Sequence, residues 1–134
     1  MSRRATRELA LRALFAADHA GLTAGEALAG AAEELRGRPD VEYASLLVTG
    51  TLDKLDVVDQ AILGQLRGWT MQQMPAVDRA LLRLAAFELL FTTNPPGAVV
   101  DEAVSLAKSY STEASGKFVN ALLRGIGRGL PGRE

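Results

Sequence analysis

The sequence predicts an all-α fold of about seven helices. Three observations carry that expectation. Apolar residues recur at helical spacing in segment after segment. Hydrophobic residues make up 48% of the chain while aromatics make up 5%, so Leu, Ala and Val must fill the core, and Ala and Leu are strong helix formers. Between the periodic segments stand capping residues and Gly or Pro breaks, and no strand-like alternation of useful length appears.

The first helix is expected from Ser2 or Arg3 to about His19, with Leu9, Ala10, Ala13, Leu14 and Ala17 on its apolar face and Gly21 as the stop. Thr23 and Glu26 form a T-x-x-E capping box that opens the second helix. That helix should run to about Leu35, ended by Gly37 and Pro39. Asp40 is the expected N-cap of the third. Tyr43, Leu46, Leu47 and Thr51, then Leu55, Val58, Ile62, Leu63 and Leu66, read as one long helix or as two with a bend near Gly50 or Lys54. Trp69 is expected to anchor the junction between two halves of the chain.

Pro75 suits the first turn of the next helix, whose stripe runs Val77, Ala80, Leu81, Leu84, Ala85, Leu89 and Leu90. Asn94-Pro95-Pro96-Gly97 is a break. Two further helices are expected, Ala98 to about Ser109 and Ala114 to about Gly127, with a frayed tail from Gly129.

A chain of 134 residues is most simply one domain with a real core. It has no Cys, which excludes disulfides and thiolate metal sites. Arg7, Glu8 and Arg12 interrupt any apolar run after the start, as a secretory signal would not. No run of about 18 apolar residues is present, so no membrane span is expected and a cytoplasmic location is.

Catalysis finds little support. His19 is the one histidine, placed where a helix dipole favours it, and cannot build a zinc site alone. Asp53, Asp56 and Asp59 share a helix face, but Lys54, Leu55 and Val58 are interleaved as on an ordinary solvated surface. Gly125, Gly127 and Gly129 follow a helix, not a strand, so no phosphate-cradling loop is read there. The expectation is a non-enzyme without cofactor or metal.

Charge is unevenly spread. The net charge is −1, yet residues 1–12 hold four arginines against Glu8 alone. Arg3, Arg4 and Arg7 fall on one broad helical face, with Arg12 to one side. Guanidinium groups pair with phosphates through planar, charge-assisted hydrogen bonds. A nearly neutral chain with a basic end suits a specific polyanion contact, and a solvated helix face is the plain alternative. Near the other end, Lys117, Phe118, Val119 and Asn120 stand where a helix begins. Phe118 can stack on an unpaired base, Lys117 bind phosphate and Asn120 read a base edge. Periodicity alone places Phe118 in the core instead.

Several blocks carry a resemblance over almost the whole length. They are Arg3-Arg4-Ala5-Thr6-Arg7-Glu8 with Ala13-Leu14-Phe15, then Trp69, then Val77 to Ala85 with Glu88-Leu89. The most specific are Asp101-Glu102-Ala103-Val104-Ser105-Leu106-Ala107-Lys108 and Lys117-Phe118-Val119-Asn120. In these the chain resembles the NusB family of bacterial transcription antitermination factors. The resemblance implies two packed three-helix subdomains, about 1–68 and about 69–134. It also implies binding of boxA, a short single-stranded element of ribosomal RNA leader transcripts. Its implied partners are NusE, a small-subunit ribosomal protein, and through it the antitermination complex on RNA polymerase.

By the family pattern, Arg3, Arg4 and Arg7 belong to the RNA-binding set, with Phe15 nearby and Lys117, Phe118 and Asn120 on the same surface. Asp78 and Arg79 would lie toward NusE. Phe15 stands where Tyr is common, Ala114 where an acidic residue is common, and Ala121 where Gly is usual. Ala5 and Thr6 dilute the basic run.

Two other readings are distinct in class. One is a stand-alone RNA-targeting module like the N-terminal domain of ribosomal RNA cytosine methyltransferases. The other is a self-associating helical protein, since some family members form homodimers.

Overall fold

The computed structural model describes residues 3–34 and 39–130. Among these residues the chain forms seven α-helices and no strand: α1 Arg3–Ala20, α2 Ala24–Glu34, α3 Val41–Asp53, α4 Leu55–Leu63, α5 Ala76–Phe91, α6 Pro96–Tyr110 and α7 Glu113–Arg128. A short 3-10 turn, Met71–Gln73, lies between α4 and α5. It was not expected from the sequence, because a three-residue turn carries no periodicity. Ser2 as a helix start, Leu35 and Gly37 at the end of α2, and the tail from Pro131 lie outside the described residues.

The helix ends follow the local chemistry. Gly21 adopts φ +67°, and its N–H donates to the Ala17 carbonyl at 3.0 Å, closing α1 in the left-handed conformation that glycine reaches without strain. At α2 the capping box is complete: Thr23 N–H donates to Glu26 Oε1 at 2.9 Å and Glu26 N–H to Thr23 Oγ1 at 3.2 Å. These bonds hold the Glu26 carboxyl below its ordinary value of 4.5, the Thr23 backbone bond contributing most and the Thr23 hydroxyl next. Asp40 caps α3, accepting from Tyr43 N–H at 3.0 Å, while its own N–H donates to the hydroxyl of buried Thr6 at 2.8 Å. That second bond ties the start of α3 to α1.

Of the two arrangements open for residues 41–66, the helix breaks at Lys54, and Gly50 stays inside α3. One turn before the break, buried Thr51 donates its hydroxyl to the Leu47 carbonyl at 2.6 Å. Such back-bonding competes for the helix ladder and favours a bend.

The chain divides into two compact units at this break, Asp53 ending the first and Lys54 opening the second. The division falls earlier than the expected point near residue 68, because α4 packs on α5 and α7. In the first unit α1 lies against α2 and α3. Its largest fully buried side chains are Leu9, Leu11, Leu47 and Val48. In the second, α5 packs on α4, α6 and α7 around Ile62, Leu81, Leu82, Leu84, Leu106 and Leu123. No aromatic ring is among these fully buried positions, as the composition implied.

Two polar residues, buried Glu88 and half-buried Arg79, order the second unit. Glu88 is 1% exposed and accepts from Asn94 Nδ2 at 2.9 Å, while its carbonyl accepts from the Thr92 hydroxyl at 2.7 Å. These bonds fix the turn into α6, where Pro96 occupies the first helical turn. Arg79 Nη1 donates to the carbonyls of Met71 and Met74, at 3.0 and 3.2 Å, and so pins the 3-10 turn onto α5.

Candidate nucleic-acid interface

The expected binding residues fall on both units, and each group has its own geometry. On the first unit, exposed Arg3 holds its guanidinium 4.4 Å above the Tyr43 ring, a cation–π contact that leaves the other face of the group to solvent. Arg4 is half-buried and its Nε lies 3.2 Å from Glu8 Oε1. Arg7 differs from both: it is 9% exposed. Three arginines that look alike in sequence therefore separate into an exposed cation, a paired one and a buried one. Phe15 is half-buried and stacks on exposed His19, with ring centroids 5.5 Å apart and planes 11° from parallel. His19, read from sequence as a helix-end residue, is the outer member of an aromatic pair.

On the second unit, α7 places its residues sharply. Thr112 caps it, accepting from Ser115 N–H at 3.0 Å. Ser115, Gly116, Val119, Leu122, Leu123 and Ile126 face inward. Lys117 is left exposed and Phe118 half-buried on the flank. Phe118 is therefore not a core residue, as periodicity alone had it, because its neighbour Val119 takes the inward position. Its ring lies 6.1 Å from that of Trp69, tilted by 33°. Asn120 is half-buried, and its Oδ1 accepts from Arg124 Nε at 2.9 Å.

Trp69 lies within the second unit. It is 45% exposed and rests against Phe118. It follows Gly68, whose φ of +76° turns the chain there in a way other residues reach only with strain.

Beside the two rings lies an open pocket of about 220 Å³, lined by Trp69, Met74, Pro75, Asp78, Ala114, Ser115 and Phe118. Met74, Asp78 and Ser115 are its buried members. Asp78 Oδ2 accepts from the Ser115 hydroxyl at 3.0 Å, which joins the first turn of α5 to the first turn of α7. The Ser115 hydroxyl also lies 2.8 Å from that of Ser111 and 3.2 Å from that of Thr112. No sequence motif marks Ser115 as a neighbour of Trp69. The long separation between the 3-10 turn and α7 hides this pocket from any local pattern.

The described residues contain no group of three or more His, Cys, Asp or Glu placed to hold a metal ion. No helix among them is long and apolar enough to cross a membrane.

The NusB family model matches residues 4–128 of the chain. The chain belongs to the NusB family. Among curated relatives, the transcription antitermination protein NusB of Symbiobacterium thermophilum is 41% identical, over 98% of this chain and 93% of that protein. The one of Salinispora tropica is 44% identical, over 91% and 92%. NusB of T. maritima superposes with a TM-score of 0.87 at 34% identity, covering 96% of this chain and 92% of that one. A further NusB-family structure holds antitermination factors NusB and NusE in complex with double-stranded RNA. It matches with a TM-score of 0.83 at 31% identity, over 92% and 94%. These matches bear out the family resemblance and the all-helical fold expected for this NusB-family chain.

Proposed function

We propose that this NusB-family chain is a transcription antitermination factor, a non-enzymatic RNA-binding adaptor. It binds boxA RNA of ribosomal RNA leader transcripts together with NusE and supports processive transcription of ribosomal RNA operons in the cytoplasm. The observation that supports RNA binding best is the accessible Phe118–Trp69 ring pair beside exposed Lys117. Aromatic faces stack on unpaired bases and a lysine meets phosphate. The relative solved with NusE and RNA lends the partner assignment its support.

Within this reading Arg3, Arg4 and Lys117 supply phosphate contacts, Phe118 stacks, and Phe15 and Asn120 add polar or aromatic edges. Arg7 acts first by packing α1, since it is 9% exposed. NusE meets α5 around Arg79. The assembly then joins the RNA polymerase antitermination complex.

The test is a titration of labelled boxA-like RNA and a scrambled control, with and without NusE, at two salt concentrations. Selective binding that tightens with NusE is the expected result. Equal, weak and strongly salt-dependent binding to both RNAs would reduce the basic residues to a generic patch and overturn the proposal.

A further inference from the structure

Beyond Phe118, α7 turns a line of cations outward. Lys117, Arg124 and Arg128 are all exposed, and at helical periodicity they fall within roughly 20° of one line along the helix. The line is roughly 16 Å long at 1.5 Å per residue. No acidic residue stands in the chain between Lys117 and Arg128. Exposed Ala121 is small and keeps the way open between Lys117 and Arg124. Arg128 belongs to the last turn, where it offsets the negative end of the helix.

The connection after α4 borders the same helix. Gln65 lies over Gly125, where an added Cβ would meet its side chain, and Trp69 lies against Phe118. Exposed Arg67 stands between those two contacts in the chain. The cations therefore begin at the ring pair and continue away from it toward the end of α7.

The neighbouring carboxylates are loosely held. Asp101 Oδ1 is 4.0 Å from Arg124 Nη2, and both side chains are more than half exposed. Glu113 Oε2 is 3.9 Å from Lys108 Nζ. Exposed pairs of this kind are screened and worth little, so exchanging one for a phosphate costs little. Arg124 Nε donates to Asn120 Oδ1 at 2.9 Å, which splints the guanidinium along the helix.

We infer that this edge is a phosphate track. The line from Lys117 to Arg128, with Arg67 beside it, binds the backbone of single-stranded RNA that continues past Phe118. The inference rests on the RNA-binding reading and lengthens its footprint to nucleotides flanking boxA. Guanidinium groups take phosphate in planar, charge-assisted pairs. After Asn120, α7 carries no aromatic ring and no side-chain amide, so this stretch holds backbone without reading sequence. Its length matches roughly five phosphates of a stacked strand at about 3.4 Å each.

The test uses the full chain with NusE and three RNAs: the boxA-like core, the core with five uridines added at its 5′ end, and the core with five added at its 3′ end. One of the two extensions should tighten wild-type binding roughly tenfold at low salt, the size of two phosphate contacts. Arg124→Gln with Arg128→Gln should abolish that gain and lower the salt slope for the extended RNA by about 1.4, at about 0.7 per contact. Arg128→Gln alone, which leaves the bond between Arg124 and Asn120 in place, should abolish about half of it.

Equal tightening from both extensions, no tightening, or a gain that survives in the double variant would overturn the track while the RNA-binding reading stands. If the double variant weakens the core RNA as much as the extended one, Arg124 acts through Asn120 and the track falls. Loss of NusE capture with the extension gain intact would assign the cations to a protein partner and overturn it too. Failure of the core RNA itself to bind overturns the broader reading and this inference with it.

Discussion

Asp59 and Arg83 meet as a two-pronged ion pair: Arg83 Nε donates to Asp59 Oδ1 at 2.8 Å and Nη2 to Oδ2 at 2.9 Å. The side chains are 13% and 21% exposed, Arg83 being the more buried. The fork clamps α4 to α5 and explains why Asp59 is not part of a carboxylate cluster with Asp53 and Asp56. Asp59→Ala leaves a mostly buried guanidinium short of its carboxylate and should cost about 2 kcal/mol in urea unfolding. A double-mutant cycle with Arg83→Ala should show coupling; additive losses would mean the two act independently.

The capping box of α2 predicts a pH dependence. The Glu26 carboxyl is held below 4.5 in the folded chain, by the Thr23 backbone N–H first and its hydroxyl second. A lowered folded value means stabilisation that is present above 4.5 and lost as pH falls through the folded value. Glu26→Gln should therefore flatten the acid limb of the stability curve. An acid limb identical to wild type would remove Glu26 from the cause.

Gly21 sits at φ +67° with open space where a Cβ would go, so conformation and not crowding governs substitution there. Gly21→Ala should lower stability by about 1 kcal/mol. Gly125→Ala has the opposite logic: its Cβ would meet only the far end of the Gln65 side chain, which is exposed and can swing away. Near-neutral melting for Gly125→Ala beside a clear loss for Gly21→Ala is the expected pair of outcomes.

Arg7→Ala and Phe118→Ala should separate by readout. Arg7, nearly out of solvent, should chiefly lower the melting temperature. Phe118, on the flank of α7, should lose roughly tenfold or more in RNA affinity, the size of one stacked base, while melting changes little. Unfolding of Phe118→Ala would return that residue to the core.

The fold was largely legible in the sequence because its signals are local. Thr23 with Glu26, Asp40 before Tyr43, Gly21 and the Asn94–Gly97 break each act within a few residues, and each stands where the pattern put it. What was hidden depends on contacts far apart in the chain. Nothing near Trp69 announces that its neighbour is Phe118, or that Asp78 waits for Ser115, a partner 37 residues on. Arg7 differs from Arg3 and Arg4 through helix rotation and packing, which a broad face of arginines does not resolve. The Lys54 break was one of the alternatives, and α4 joining the second unit decides where the chain divides.

The placement of Trp69 also determines what light can report. It is the chain's single tryptophan, and it stands half in solvent over Phe118 and away from the Leu- and Ala-built cores. Its emission thus reports the surroundings of the pocket rim, with no label attached. The same placement leaves it nearly blind to melting of the first unit, where α1 to α3 would need to be followed by their circular dichroism.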